Sequence, residues 1–517
     1  MSLQTWLRRA RRSLLATGTT AVLTATLIAG TETASHAATQ GPCDLYASGG
    51  TPCVAAHSTT RALYGAYGGA LYQVRRASDG ATKDIGVLSA GGYANAAAQD
   101  AFCGTATCVI TVIYDQSGKG NHLTQAPGGG AAPGPDNLAP ATAAPVTVAG
   151  HKAYGVYVAA GTGYRNNNTR GIAVGDQPEG MYAVLDGSHF GGGCCFDYGN
   201  AETNNLDTGN GHMEAIYFGD STIWGTGTGQ GPWVMADLEN GLFSGVNPGY
   251  NANNPSVSHR FLTAIVKGAP NLWAIKAGNA QSGALSTYYS GPRPNVPGYN
   301  PMHKEGAIIL GIGGDNSKSS SGTFYEGVMT SGYPSDATEN AVQANITAAN
   351  YRTATITSSA LTPGARVSLR ASTPCCTGSY LRHNADSTVA ISPITSASPA
   401  ADKSDATWIV RAGLANSSCL SFESAAARGQ YLRHFDHRLR TAASDNTALF
   451  NQDATFCLQA GHSGQGYSFQ SANYPNRFLR HFEYTGYLAG DGVGGHTWDN
   501  VAYWAEDTSW LTAQPWS

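Results

Sequence analysis

Pro232-Trp-Val-Met-Ala-Asp-Leu-Glu-Asn-Gly-Leu-Phe-Ser-Gly245 reads as a strand that runs into a turn. Asn240 and Gly241 break the strand, and the alternation of strand side chains points Asp237 and Glu239 the same way. Two acids on one strand face are ordinarily a solvated edge. A further acid, however, follows a second strand signal: the apolar run Ala307-Ile-Ile-Leu-Gly-Ile-Gly-Gly-Asp315 ends in glycines that let a backbone approach a ligand. Carboxylates delivered to a sheet rim from two strands are how a sugar-cleaving site can begin.

Outward from these stretches, residues 109–114, 181–185, 212–218, 261–266, 272–275 and 323–329 are short β-branched or aromatic runs bounded by Gly, Asn, Asp and Pro. Many short strands without alternating helices predict an all-β sandwich over residues 41–352. Helices are expected only at its edges, over residues 54–64 and from Asp336, an N-cap with Glu339 three residues on. The segment from Asp115 to His122 lacks the spacing of a phosphate loop and reads as a strand-closing turn.

Residues 353–365, rich in Thr, Ser and Ala with Pro363-Gly364, read as a linker. Over residues 366–517 the chain repeats itself. Ser379-Tyr-Leu-Arg-His383, Gln430-Tyr-Leu-Arg-His434 and Arg477-Phe-Leu-Arg-His481 are each followed by an acidic aromatic signature, Asp405-Ala-Thr-Trp408, Asp453-Ala-Thr-Phe456 and Asp507-Thr-Ser-Trp510. Three β-rich units of this length predict a β-trefoil. Its apolar members suit a threefold core, with Tyr380, Tyr431 and Phe478 packing inward. The pairs His383 with Asp405, His434 with Asp453 and His481 with Asp507 help a core only if paired, and such a pair at the surface can hydrogen-bond sugar hydroxyls.

Only 12% of residues are charged, against 65 glycines and 26 tyrosines, a balance suited to turn-rich β structure and a neutral, hydroxyl-rich partner. Residues 1–38 read as an export signal: Arg8, Arg9, Arg11 and Arg12 precede an apolar stretch over 14–29 and small-residue cleavage sites at 35–38. The general secretory and twin-arginine routes both fit. Its removal takes away four arginines and one glutamate and moves the formal net charge from −4 to −7, which argues against a nucleic-acid partner. No later run of 18 apolar residues proposes a membrane span. The protein is expected to be secreted, extracellular and monomeric.

All ten cysteines follow the signal, and an even count in an exported chain argues for disulfides. Proximity proposes Cys43–Cys53, Cys103–Cys108 and Cys419–Cys457. Spacing leaves open whether the adjacent pairs Cys194-Cys195 and Cys375-Cys376 bond to each other or elsewhere. Paired Cys-x-x-Cys clusters are missing, so no zinc site is expected.

The stretches Gly41-Pro-Cys-Asp-Leu-Tyr, Ala55-Ala-His-Ser-Thr-Thr-Arg-Ala-Leu-Tyr, Tyr114-Asp-Gln-Ser-Gly, Cys194-Cys-Phe-Asp-Tyr-Gly-Asn-Ala-Glu and Lys304-Glu-Gly-Ala-Ile-Ile-Leu-Gly-Ile-Gly-Gly-Asp-Asn are long and specific. On them the chain resembles a glycoside hydrolase family 54 α-L-arabinofuranosidase. That resemblance implies a jelly-roll, concanavalin-like catalytic sandwich followed by a family 42 arabinose-binding trefoil. It further implies Glu239 as nucleophile and Asp315 as general acid/base of a retaining reaction that needs no metal or organic cofactor. Asp237, Asn240 and Gly314 fall on sugar-bonding positions, Trp224 on a pocket wall, and Cys194-Cys195 on a disulfide between neighbours that lies against the sugar. The polar neighbours Asp237 and Asn240 are expected to keep Glu239 ionised, and the apolar strand before Asp315 to keep that acid protonated. The implied partners are the plant polysaccharides arabinoxylan and arabinan. Two alternatives remain at this stage: a β-xylosidase or mixed pentosidase using the same carboxyls, and a non-catalytic lectin-like protein.

Overall fold

The computed structural model describes residues 40–517 apart from 105, 355, 357 and 492–494. The expected export signal lies outside the described residues. Two antiparallel sheets, one of seven strands and one of ten, pack face to face over residues 53–331. Alternation divides the ten-stranded sheet cleanly. Ile216, Phe218, Val234 and Ala236 enter the core between the sheets, while Tyr217, Trp233 and Met235 face outward and meet Cys195 and Leu242 in a separate apolar floor.

The strands that carry the sequence motifs are neighbours in this sheet: Trp233–Asp237, Glu214–Gly219, Asp197–Ala201 and Ala307–Leu310. Register pairs Asp237 with Ala215 and Met235 with Tyr217, while Tyr217 pairs on its other side with Asp197. Asp197 and Asp237 therefore share the outward face. Beneath them Lys304 bridges Glu214 and Glu179 at 3.0 and 3.1 Å, and Arg293 closes on Glu214 at 2.7 Å. Removing one member of such a buried network would leave an uncompensated charge, at a cost of about 3–5 kcal/mol.

Two local expectations change and a third holds. Residues 53–58 form a strand, fully buried and paired with residues 326–330, so sheet pairing overrides the helix expected over residues 54–64. The helix Asp336–Ala348 is capped by Ser335, which accepts from the Thr338 N–H; Asp336 and Glu339 turn instead to Lys267 and Lys276. The segment 115–122 is a turn held by Asp115, whose carboxylate accepts from the backbone of Ala56, Ser117 and Asn121.

The C-terminal part is a trefoil of three four-stranded units. Its first strand, Arg366–Ala371, pairs with its last, Trp510–Ala513, so the barrel closes. The repeated Leu381, Leu432 and Leu479 are fully buried, and the indoles of Trp408 and Trp510 donate to the carbonyls of Leu381 and Leu479 at 2.9 and 3.1 Å. Tyr380 and Tyr431, expected inside, are only half-buried. Strand alternation gives the inward face to the leucine and histidine of each motif. Phe478 is buried, but against the sandwich.

That contact ties the two parts together. Tyr157 of the sandwich is stacked between His189 at 4.2 Å and His462 of the trefoil at 4.8 Å, and His462 stacks in turn on Trp504 at 4.6 Å. Ala143, Ala144 and Phe478 complete this apolar joint. Trp504→Ala should cost about 3–5 kcal/mol. Calorimetry should show an unfolding transition below the parent's, and an unchanged midpoint would contradict the assignment of the stack as the joint.

Candidate active site

The strand stops at Asp237, and a tight turn places Glu239. Leu238 is buried and its N–H donates to the carbonyl of Gly241, while Glu239 and Asn240 both take positive φ, 64° and 54°. Two successive non-glycine residues in this region are costly and persist only where surroundings hold them. Two contacts do so. Asp237 Oδ1 accepts from the Glu239 N–H at 3.0 Å, and the Tyr299 hydroxyl donates to the Glu239 carbonyl at 2.6 Å. The turn, rather than strand alternation, brings both acids to one side.

Asp315 arrives differently from expectation too. Its strand ends at Leu310, and the loop 311–317 folds over the site, with Asp315 Oδ1 accepting from the Ser317 N–H at 2.9 Å. Gly314 is required there, because a methyl on its α-carbon would overlap Glu202 Oε2 and stand 3.1 Å from Glu239 Oε2.

Glu239, Asp315, Asp237, Asn240, Gly314, Trp224 and Cys194 line one pocket of about 270 Å³, joined by Asp207 and Ser317. Cys194 and Cys195 are bonded to each other, and the Cys195 sulfur lies beneath the pocket, 3.3 Å from Asp237 Oδ2. As halves of a disulfide these sulfurs offer no thiolate to a metal. Cys43–Cys53, Cys103–Cys108 and Cys419–Cys457 are also bonded, and Cys375 pairs with Cys376, the partner that spacing left open.

The electrostatics differ from the sequence expectation. Glu239's neighbours are carboxyls, so burial and then the charges of Asp237, Glu202 and Asp207 push its pKa up rather than down. Burial likewise raises Glu202, and it raises Asp197, where Asp237 adds to the effect. Asp197 faces Asp237, and Glu202 faces Glu239. Each pair therefore holds a proton, since two facing carboxylates have no donor between them. Arg165, buried beside the cluster, is lowered to about 10 by burial and is spent on main-chain carbonyls.

Sequence reading missed Asp197, Glu202, Asp207 and Arg165. Asp197 and Glu202 stand inside the motif that begins at Cys194, but their odd separation places them on opposite faces of any continuous strand. The strand ends at Ala201, and only that ending lets Glu202 turn in. Asp207 is carried by a loop that Glu305 holds through Thr203, Thr208 and His212 at 2.6–3.0 Å. Its amide partner is Asn240 at 3.1 Å.

In the trefoil each expected pair forms. His383, His434 and His481 lie 3.4, 3.4 and 3.6 Å from Asp405, Asp453 and Asp507. The arginine before each histidine, Arg382, Arg433 and Arg480, clamps the aspartate rather than joining the core. A hydroxyl or amide from the next unit completes each set: Ser424, Asn473 and Thr373. Exposure differs among the three. Asp405 is the most open, whereas Arg480 is fully covered, donating to the carbonyls of Trp498, Asn500 and Ala502 in the longer third loop.

Comparison with known proteins decides the family. A family model described as "Alpha-L-arabinofuranosidase B, catalytic" matches residues 42–352, and one described as "Alpha-L-arabinofuranosidase B (ABFB) domain" matches residues 369–512. The chain belongs to the α-L-arabinofuranosidase B family, glycoside hydrolase family 54. It is a glycoside hydrolase with arabinofuranosidase activity. A probable α-L-arabinofuranosidase B of Aspergillus clavatus is 63% identical over 490 residues, covering 94% of this chain and 96% of its own length. An arabinofuranosidase/B-xylosidase of Trichoderma koningii is 62% identical over 492 residues, covering 94% and 98%. The crystal structure of an arabinofuranosidase complexed with arabinofuranosyl-α-1,2-xylobiose superposes with a TM-score of 0.73 at 56% identity, over 92% of this chain and all of that one.

Two outcomes follow for this arabinofuranosidase. Gly314→Ala pushes the loop off Glu202, and a misplacement of about 1 Å at a reacting group costs on the order of 10²-fold in kcat; a parental kcat would contradict the contact. Burial works to raise Glu305, yet its hydrogen bonds from Thr208, Thr203 and His212 hold it down to about 2. Since its folded pKa is depressed, its contribution is present above 4.5 and is lost as pH falls from 4.5 toward about 2. Amide exchange over residues 203–212 should accelerate in that window, and Glu305→Gln should abolish the dependence.

Proposed function

We propose that the protein releases terminal arabinofuranose side chains from arabinoxylan and arabinan by a retaining, two-step displacement, with Glu239 as nucleophile and Asp315 as general acid/base. What carries this reading is that two carboxyls, delivered by a turn and by a separate loop, face one small pocket floored by a disulfide. Glu239 attacks the anomeric carbon while Asp315 gives its proton to the leaving oxygen; Asp315 then takes a proton from water, whose oxygen displaces Glu239. Asp237 and Asn240, with the Gly314 backbone, orient the sugar, and Trp224 covers it. The relative crystallised with arabinofuranosyl-xylobiose supports a xylan-borne side chain as substrate.

The trefoil holds such polymers through its His–Asp pairs, several weak sites raising affinity by effective concentration. Residues 1–38 export the protein, which acts as a monomer. The pairing of all ten cysteines supports an oxidising destination. A second reading, a mixed pentosidase, is favoured by the name of the Trichoderma koningii relative. Paired assays on aryl arabinofuranoside and aryl xyloside separate the two.

Glu239→Gln should abolish turnover. Asp315→Asn should keep a slow reaction on substrates with good leaving groups and be accelerated by azide; parental activity of Asp315→Asn on polymer would overturn its role. In the full chain carrying Glu239→Gln, single changes of His383, His434 and His481 to Ala should weaken binding to arabinoxylan in affinity electrophoresis. If none does, the histidines are structural.

A further inference from the structure

Glu202 lies where the strand Asp197–Ala201 ends, and its side chain is buried with neither oxygen meeting a hydrogen-bond donor among the described residues. Arg165, the cation beside it, donates to the main-chain carbonyls of Glu202 and Gly314, at 2.6 Å for the latter, and to Asn167. It leaves the carboxyl alone. The remaining neighbour is Glu239, since the point where a methyl carbon on Gly314 would stand overlaps Glu202 Oε2 and lies 3.1 Å from Glu239 Oε2. Two carboxyls in this position can hydrogen-bond only if one of them carries a proton.

We propose that Glu202 is a positioning residue for Glu239: it carries the pair's single proton and donates it to one oxygen of the Glu239 carboxylate, leaving the other oxygen for the anomeric carbon. This rests on Glu239 being the nucleophile. The positive charge that develops at the anomeric carbon favours the anion on Glu239 and keeps the proton on Glu202. That proton does not move during turnover. When the bond from Glu239 to the sugar forms, the carbonyl oxygen of the new ester keeps the same hydrogen bond, while the proton given to the leaving group comes from Asp315.

The groups facing this pair are Asp237, Asp207, Asp197 and Asp315, all able to be negative, and Arg165. Burial pushes both members of the pair up, Glu202 to about 7 and Glu239 higher still, so the pair keeps one proton well above the ordinary carboxyl range and loses it only as pH rises further. Activity should then fall on the alkaline side as the pair loses this last proton.

Because Asp315 also gives and takes a proton during catalysis, the test is made in Asp315→Asn with an aryl arabinofuranoside bearing a good leaving group. There the alkaline loss of activity should persist, and adding Glu202→Gln, a donor at every pH, should remove it. In the otherwise intact enzyme Glu202→Gln should keep kcat within about 5-fold, whereas Glu202→Leu should lower it on the order of 10²-fold with little change in KM, as for loss of one preorganised donor. Parental kcat in Glu202→Leu, Glu202→Gln as inactive as Glu202→Leu, or an alkaline limb that survives in the double variant would each overturn the proposal. Should Glu202→Leu not fold, the Glu202→Gln comparison decides alone. Turnover by Glu239→Gln would instead sink the nucleophile reading itself.

Discussion

Carboxyl groups buried side by side with no cation hydrogen-bonded to them must share protons, and this site is organised around that constraint. Asp197 with Asp237 and Glu202 with Glu239 form two such pairs on the outward face of one sheet. In each, an outer carboxyl that lines the pocket is backed by an inner one that does not. The guanidinium nearby is aimed at main-chain carbonyls, so it shapes the loops without neutralising the acids. A substrate whose transition state carries positive charge at the anomeric carbon is what such a pocket stabilises best.

The fold supplies the convergence. Adjacent antiparallel strands bring Asp197 and Asp237 to the same face, and three departures from strand geometry do the rest: the positive-φ turn at Glu239 and Asn240, the end of a strand at Ala201, and the glycine loop over Glu202. The motif residues Lys304 and Glu305 serve as supports, one bracing the buried charges under the sheet and the other holding the loop that presents Asp207.

The all-β architecture and the threefold repeat were legible because period-2 alternation and a recurring Tyr/Phe-Leu-Arg-His are local signals. So was the company of Asp237, Glu239 and Asp315. What sequence could not show was sign and partnership. Asp237 beside Glu239 reads as a polar neighbour until the fold reveals further carboxyls behind both, and the arginines of the trefoil repeat have no assigned partner until their aspartates come within reach. The helix expected over residues 54–64 failed because residues 53–58 are buried throughout by sheet pairing, which erases the amphipathic contrast that separates helix from strand.

The most direct test is to catch the bond that the account places on Glu239. Asp315→Asn slows the second displacement, so acid-quenching this variant during reaction with an aryl arabinofuranoside of good leaving ability should accumulate sugar on the protein. Peptide mass spectrometry should find one pentosyl group on Glu239, in the segment from Trp233 to Gly245. A pentosyl group on Asp237, Asp207 or Glu202, or none while products of inverted configuration form, would contradict it.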